Sequence, residues 1–349
     1  EVSARERCGV RLNAQGTLDI DSVGLNFRDF RLSTPDGTAA AFTAMMGMGD
    51  LVNDPALPLA LNLDGAFAPG DLGKMFPAFS PYLAAIPSAG DILLRADVAG
   101  TSGRVDIDTL ELKLNRCLTL RAGGSVENMM NPARIGGNID LSGNIINVDG
   151  LKNKFLAPST AKTIAIPPMT LAGHVTMKSG VAGGRLTART KGGSIRLDGR
   201  WNSNREDYSA TVRTDRFPVN AFMPLLGVGA VSADLKAGGH GYNPFAASTT
   251  MDADLAVSSA MYQGVTYKNI DGKVHVADGR AAVELVSADP GLDFALNASG
   301  NLTGNTYGWT ADIQGRNIDL ESLGMMAEPS TLEVYAKADA TIGPGKNDM

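Results

Sequence analysis

Apolar and polar residues alternate along most of this chain. Successive side chains of a β-strand point to opposite faces, so each alternating stretch has one buried side and one solvent-facing side. The longest such run is Leu110–Leu120, whose apolar positions only Arg116 interrupts. We interpret this run as one strand, with Cys117 on its polar face beside Glu111. The pattern predicts an all-β fold.

The apolar positions of these strands form the candidate functional set. We expect them to lie on one shared face of an antiparallel sheet. They are Leu18, Ile20, Leu110, Leu112, Leu114, Leu118, Leu120, Ile139, Leu141, Ile195, Leu197, Val231, Leu235, Leu255, Val257, Val283, Leu285, Leu292, Phe294, Leu296, Leu332 and Val334.

Glycine-containing turns separate the predicted strands. Glycine makes up 41 of 349 residues, about 12%, against a usual share of roughly 7%. Asp-Gly suits the positive φ of tight hairpin turns, so antiparallel neighbours are expected. The predicted turns are Pro35-Asp36-Gly37, Gly123-Gly124, Gly183-Gly184, Gly192-Gly193, Asp271-Gly272 and Asp278-Gly279.

A few segments have helical spacing, and all are short. Asp71–Ile86 places apolar residues one helical turn apart, with Asp71 as its N-cap. Short apolar segments that follow Asp149, Asn220 and Asp319 predict helices of one or two turns. These joints between strand and helix recur at uneven spacing, which indicates an internal repeat.

A second recurring element supports the repeat. Gly24-Leu-Asn-Phe-Arg-Asp-Phe30 and Gly264-Val-Thr-Tyr-Lys-Asn-Ile270 match in character at every position. Each leads into an alternating strand. We therefore expect residues 1–349 to form one continuous β-repeat segment, with a soft break in the Pro-rich stretch 155–168.

Composition narrows the function classes. A net charge of −6 without clustered Lys and Arg gives no support to nucleic-acid binding. No run of 18 or more apolar residues occurs, so no membrane-spanning helix is predicted within this sequence. Residue 1 is Glu and no signal segment follows it, so we interpret the chain as a piece of a longer protein whose anchor lies outside it.

Candidate chemistry is sparse. The isolated His174, His240 and His275 do not have zinc spacing, and no cofactor or metal is expected. The pairs Asp19-Ile-Asp21 and Asp106-Ile-Asp108 fit a solvated face better than a calcium site or an acid–base pair. Cys8 and Cys117 are either two free thiols or a disulfide. The methionines near the predicted helices are either core residues or lipid-contacting edges; they are Met45, Met46, Met75, Met129, Met130, Met325 and Met326.

The element Gly-x-x-aromatic-basic-Asp/Asn-apolar and the strand–Asp–short-helix joints resemble those of the AsmA and TamB-like bacterial envelope proteins. The resemblance implies a long sheet curled into an open apolar trough, called a β-taco or repeating β-groove. It implies a non-catalytic periplasmic protein, anchored in the inner membrane, that shields phospholipid acyl chains on their way to the outer membrane. It also implies an outer-membrane β-barrel assembly partner, reached through regions outside this chain.

Two other interpretations stay open. The apolar strand faces could close on themselves as a sandwich core or solenoid interior, which would fit a structural or adhesive surface protein. The marker residues Leu72, Leu151, Phe222 and Leu323 are 79, 71 and 101 positions apart, and this scatter speaks against a regular solenoid. A hydrolase on a β scaffold would need a convergent catalytic constellation, and no nucleophile elbow or phosphate loop is found.

Overall fold

The structure, a computed structural model, describes residues 2–5, 9–51, 53–83, 86, 92–129, 131, 134–243, 245–303 and 307–342. Cys8 and Met130 lie outside the described residues. The chain divides into two compact units, residues 1–188 and 189–349. The stretch 155–168, which composition suggested as a soft break, lies within the first unit.

The first unit is an antiparallel meander with short helices between some strands. Its strands are β1 (Val2–Arg5), β2 (Arg11–Ile20), β3 (Gly24–Ser33), β4 (Ala39–Gly47), β5 (Pro58–Phe67), β6 (Ile92–Thr101), β7 (Arg104–Leu114), β8 (Leu118–Glu127), β9 (Gly136–Ile145), β10 (Met169–Lys178) and β11 (Val181–Thr190). Its helices are α1 (Pro69–Met75), α2 (Ser80–Leu83), α3 (Asp149–Phe155) and α4 (Pro158–Thr163), with a 3₁₀ turn at Pro77–Phe79. Each strand from β1 to β9 pairs antiparallel with the one that follows it.

The second unit is built in the same way. Its strands are β12 (Ser194–Asn202), β13 (Asp207–Pro218), β14 (Val228–His240), β15 (Thr250–Tyr262), β16 (Val265–Tyr267), β17 (Ile270–Ala277), β18 (Arg280–Asp289), β19 (Leu292–Asn301), β20 (Tyr307–Asp319) and β21 (Thr331–Ile342). Helix α5 (Val219–Phe222) and a 3₁₀ turn (Pro224–Leu226) follow β13. Pairing is antiparallel throughout, and β15 pairs with both β16 and β17.

The prediction of an all-β, antiparallel fold is confirmed. Every predicted lining residue lies in a strand, and α1 and α3, with seven residues each, are the longest helices that the structure describes. The Asp278-Gly279 turn is confirmed as well. Both of its residues have positive φ, 51° and 67°, and they join β17 directly to β18.

The prediction of one strand across Leu110–Leu120 is wrong. β7 ends at Leu114, β8 begins at Leu118, and Arg116 adopts a φ of 60° in the turn between them. Leu114 and Leu118 are direct cross-strand partners. They lie four positions apart, an even number, so the apolar alternation of the sequence continues through the turn while the chain reverses. Cys117 is therefore buried in the turn and does not lie on a polar strand face.

Several glycine pairs predicted as turns lie inside strands. Gly123-Gly124, Gly183-Gly184 and Asp271-Gly272 belong to β8, β11 and β17. At Gly124 (φ 132°), a β-carbon would stand 2.1 Å from the carbonyl oxygen of Asn138 on β9. This glycine is needed because the neighbouring backbone approaches too closely for a side chain. Turns are confirmed at Pro35-Asp36-Gly37, and Gly192-Gly193 lies in a bend before β12.

The helical predictions are confirmed only in part. The segment predicted from Asp71 begins earlier, at Pro69, and its N-cap is Ala68. α3 begins at Asp149, and Asn220 lies inside the one-turn α5. Asp319 ends β20 and starts a turn, because its carboxylate accepts the backbone N–H groups of Glu321 and Ser322.

A small hydrophobic core lies at one end of the strands of the first unit. It is formed by Ile86, Ile92, Leu114 and Cys117. Side chains of the helices and of the neighbouring strand ends pack around it, namely Phe67, Leu72, Leu83, Leu112, Leu118 and Leu151. The short helices thus cover one end of the sheet.

Candidate functional site

The candidate site is the apolar face of the strands in each unit, which the strand registers make continuous. Directly opposed residues of antiparallel strands share a face. In the first unit one row of successive partners is Leu18, Phe27, Ala44, Leu61, Val98, Ile107, Gly124, Ile139 and Val175. The next row is Ile20, Leu25, Met46, Leu59, Gly100, Val105, Val126, Gly137 and Met177. Polar side chains are absent from both of these rows.

The predicted lining residues of the first unit all fall on this face. Leu18, Ile139 and Ile20 belong to the two rows above. Leu110 and Leu141 both lie opposite Ala122, Leu112 lies opposite Leu120, and Leu114 lies opposite Leu118. β8 alone presents five alternate positions to this face, Leu118, Leu120, Ala122, Gly124 and Val126. At about 3.4 Å per residue the face is about 27 Å wide along the strands.

The second unit repeats the arrangement. One row is Leu197, Val212, Leu235, Leu255, Gly272, Leu285, Leu296, Ile313 and Ala336. Its neighbour is Ile195, Thr214, Ala233, Val257, Ile270, Ser287, Phe294, Gly315 and Val334. The remaining predicted residues Val231, Val283, Leu292 and Leu332 share the same face through their partners Phe217, Val274 and Ile318.

Much of this apolar face is accessible to solvent. Leu110, Leu120, Leu141, Leu197, Ile313 and Leu332 each keep 37–41% of their surface exposed. The total accessible area is 21195 Å² for 36.4 kDa. Globular proteins of that mass expose about 13,000 Å², and two separate units of half the mass would expose about 16,000 Å². The chain as a whole therefore carries more accessible surface than compact globular units of the same mass.

The opposite face is polar and held by cross-strand ion pairs. Arg95 pairs with Asp64 at 2.9 Å, and Arg213 pairs with Asp234 at 2.8 Å. Each of the three histidines also pairs with the aspartate directly opposite it on the neighbouring strand: His174 with Asp140, His240 with Asp207 and His275 with Asp252. Exposed pairs of this kind each contribute about 0–1 kcal/mol and mainly fix register.

The carboxylate pairs singled out in the sequence have structural partners. Asp19 pairs with Arg28, and Asp106 pairs with Arg104 at 2.9 Å. Backbone hydrogen bonds from Gly24 and Val23 lower the pKa of Asp21. Among the described residues, no group of three or more His, Cys, Asp or Glu side chains could hold a metal ion. Burial raises the pKa of the Cys117 thiol.

Depressions are found on the polar face. One of about 860 Å³ in the second unit is lined by Arg213, Asp234, Lys236, Asp254 and Lys273, among others. A second of about 670 Å³ in the first unit is lined in part by Asp19, Asn26 and Asn62. The candidate site is therefore defined by the rows of apolar side chains rather than by a concave pocket.

Several lining strands were missed in the sequence. β4, β5 and β6 carry Ala44, Leu61 and Val98 in the row that starts at Leu18. The signal was present, because Leu59, Leu61 and Leu63 alternate with polar or small residues. A cluster of Phe27, Phe30 and Phe42, with ring centres 5.3–6.2 Å apart, was also missed because Phe30 and Phe42 become partners only through a bulge in β3.

The described part of the chain contains no helix that is both long and apolar enough to cross a membrane. Comparison with protein-family models, with curated proteins and with solved structures gives no match.

Proposed function

We propose that this chain is a non-catalytic segment of a bacterial envelope protein, and that its apolar faces shelter the acyl chains of phospholipids. In this proposal the sheets curl lengthwise into an open trough in the periplasm. The parent protein is anchored in the inner membrane, delivers lipid toward the outer membrane and engages a barrel-assembly partner through other regions.

One observation carries the proposal: rows of strand partners form a largely apolar face, and several of its large side chains, among them Leu110, Leu120 and Leu141, stay more than a third exposed. A soluble protein rarely exposes a contiguous apolar patch larger than a few hundred Å² unless the patch binds something. Apolar contact is non-directional, so such a face suits flexible hydrocarbon chains.

The energetics and dimensions agree with this ligand. A phospholipid with two chains exposes some thirty CH₂ groups in water, which costs on the order of 20 kcal/mol at about 0.8 kcal/mol each. One leaflet of a bilayer holds its chains within about 15 Å. The face of β8, about 27 Å wide, can therefore cover a chain along its full length while the headgroup stays in solvent.

The test is lipid mass spectrometry on the chain purified from a bacterium without detergent. The informative variant changes Leu110, Leu120 and Leu141 to Asp, because these half-exposed residues lie outside the buried core. The matched control is Leu93→Asp. Leu93 is 40% exposed but lies on the opposite face, where its partners are Ala66 and Lys113.

We expect stoichiometric phospholipid on the parent and on the control. We expect the triple variant to lose it by at least about tenfold, equivalent to ~1.4 kcal/mol, while its circular dichroism spectrum stays β-rich. A parent without lipid, together with a triple variant that unfolds, would instead indicate that the face is a closed core. In that case the structural or adhesive function would replace this one.

A further inference from the structure

Two neighbouring loops at one end of the second unit expose large apolar side chains. The first carries Met223, Leu225 and Leu226, and the second carries Met325 and Met326. We call these five residues the apolar lip. Leu225 is 80% exposed and Met325 is 71% exposed, and the other three are 41–53% exposed. Such exposure argues against gap-filling core methionines and calls for a partner.

The turn between β15 and β16 connects the two loops. The backbone N–H of Gln263 donates to the carbonyl of Gly227, directly after the first loop. The Gln263 side-chain amide lies against Gly324 in the second loop, where a β-carbon would meet it at 2.2 Å. Gln263 therefore lies between the two loops and places them side by side.

The lip is continuous with the apolar face. Phe217 belongs to the row at this end of the strands, where it is the partner of Val231. The Phe222 ring of α5 stacks on Phe217, with centroids 4.7 Å apart. Met223 follows Phe222 directly in the chain. An apolar path thus leads from the lip to the face that we propose holds acyl chains.

The backbone of the lip is suited to an environment without water. Four of its five N–H groups donate to nearby backbone carbonyls: Met223 to Val219 at 2.7 Å, Leu226 to Met223 at 3.2 Å, and Met325 and Met326 to Leu320 at 2.9 and 3.2 Å. Unsatisfied backbone groups are what normally keep loops out of hydrocarbon. The four bonded N–H groups therefore lower the cost of entering it.

We propose that the apolar lip inserts into the surface of a bilayer of neutral, zwitterionic phospholipid, from which acyl chains pass onto the apolar face. The lip consists only of Leu and Met, without the Trp, Tyr and Arg anchors that dominate protein–protein hot spots. The exposed Glu321 and Glu328 flank the second loop, which disfavours an anionic surface. The inference rests on the proposed function, because that function makes the bilayer a source of lipid.

The experiment measures co-sedimentation of the full chain with dioleoylphosphatidylcholine vesicles, with and without about a third phosphatidylglycerol. The test variant is Leu225→Asp combined with Met325→Asp. The control is Val286→Asp, because Val286 is 43% exposed on the polar face, opposite Asp271. A Leu225→Cys variant in a Cys8→Ser background, labelled with an environment-sensitive dye, reports insertion through quenching by brominated lipid. Cys117 is buried and stays unlabelled.

We expect the parent and the control to bind neutral vesicles, the double variant to bind at least about tenfold more weakly, and the dye to be quenched. Phosphatidylglycerol should not strengthen binding. The proposal is overturned if the parent does not bind, if binding requires the anionic lipid, or if the double variant binds equally well. It is also overturned if the double variant abolishes an oligomer in light scattering, since the lip would then be an interface between copies.

Acyl-chain retention separates this inference from the proposed function. The double variant leaves the apolar rows intact, so lipid already carried by the purified protein should remain on it. Retained lipid without vesicle binding by the parent would overturn the lip alone. Vesicle binding by a parent that carries no lipid would overturn the proposed function and leave the lip as a membrane anchor.

Discussion

Leu114 and Leu120 lie on the same apolar face, yet Leu114 is 8% exposed and Leu120 is 38% exposed. The difference follows from what covers them. Leu114 belongs to the core with Ile86 and Cys117, and α1, α2 and α3 contribute side chains packed around that core. Leu120 pairs with Leu112 further along the strands, lies outside that core and stays exposed.

This contrast predicts a large difference in stability. Leu114→Ala should lower the free energy of unfolding by about 2–5 kcal/mol, because it opens a cavity in the core. Leu120→Ala should cost less than about 1 kcal/mol, because a half-exposed side chain loses little burial. Urea denaturation of the lipid-free chain, followed by circular dichroism, measures both. An equal loss of unfolding free energy in the two variants would mean that the whole face is packed as a core.

Asp71 carries the second prediction. Its side chain is fully buried, and one carboxylate oxygen accepts the hydroxyls of Thr34 and Thr38, the latter at 2.6 Å. Thr38 in turn accepts the backbone N–H of Ala68, so this network joins α1 to the turn between β3 and β4. Hydrogen bonds to a charged group contribute about 1.5–3 kcal/mol each.

Asp71→Ala should therefore destabilise the first unit by about 3 kcal/mol, since it leaves the buried hydroxyl of Thr38 and the partly buried hydroxyl of Thr34 without their acceptor. Asp149→Ala is the control, because Asp149 is exposed at the start of α3, where it pairs with Lys152. That change should stay within about 0.5 kcal/mol. A similar midpoint in urea for both variants would contradict the structural role of Asp71.

The faces of the strands could be predicted from sequence, whereas their coverage and the chain reversals could not. Side-chain parity within a strand placed Leu110 with Leu112 on one face, and Ile139 with Leu141, because apolar residues alternate there with polar ones. The same parity hid the turn at Arg116, where no Gly, Pro or Asp-Gly marks the reversal. Asp71 was assigned to a helix cap because its partners Thr34 and Thr38 are more than thirty residues away. Exposure of Leu120 depends on what packs above it, which no local pattern records.

The recurring element predicted from Gly24 and Gly264 has a shared backbone feature. Asp29 and Asn269 occupy the same position in the two copies, and both have positive φ, 52° and 56°. Asp29 lies in a bulge of β3, and Asn269 separates β16 from β17. Asn and Asp tolerate this left-handed conformation better than other residues with side chains.

Asn269→Val should therefore destabilise the second unit by about 1–2 kcal/mol, because a β-branched residue resists positive φ. Asn269→Gly should be close to neutral. The control is Asn297→Val within β19, where the extended backbone favours valine. The thermal unfolding midpoints of the three variants test this. If Asn269→Val and Asn297→Val have the same midpoint, the positive φ of Asn269 does not disfavour valine.

The last prediction concerns acid. The carboxylate of Asp21 accepts the backbone N–H groups of Gly24 and Val23, at 2.9 and 2.8 Å, and these bonds hold its pKa below the ordinary 3.8. A carboxyl whose pKa is lower in the folded state stabilises the fold above pH 3.8 and loses that contribution as the pH falls through the folded value. The turn before β3 should therefore loosen only below pH 3.8.

Hydrogen exchange of the Gly24 amide between pH 5 and pH 2.5, beside an NMR titration of the Asp21 carboxyl, tests this. Asp21→Asn keeps an acceptor that does not titrate, so exchange in that variant, corrected for intrinsic rates, should show no added acid step. A carboxyl that titrates at 3.8 or above in the folded chain would show that these two hydrogen bonds do not favour its charged form.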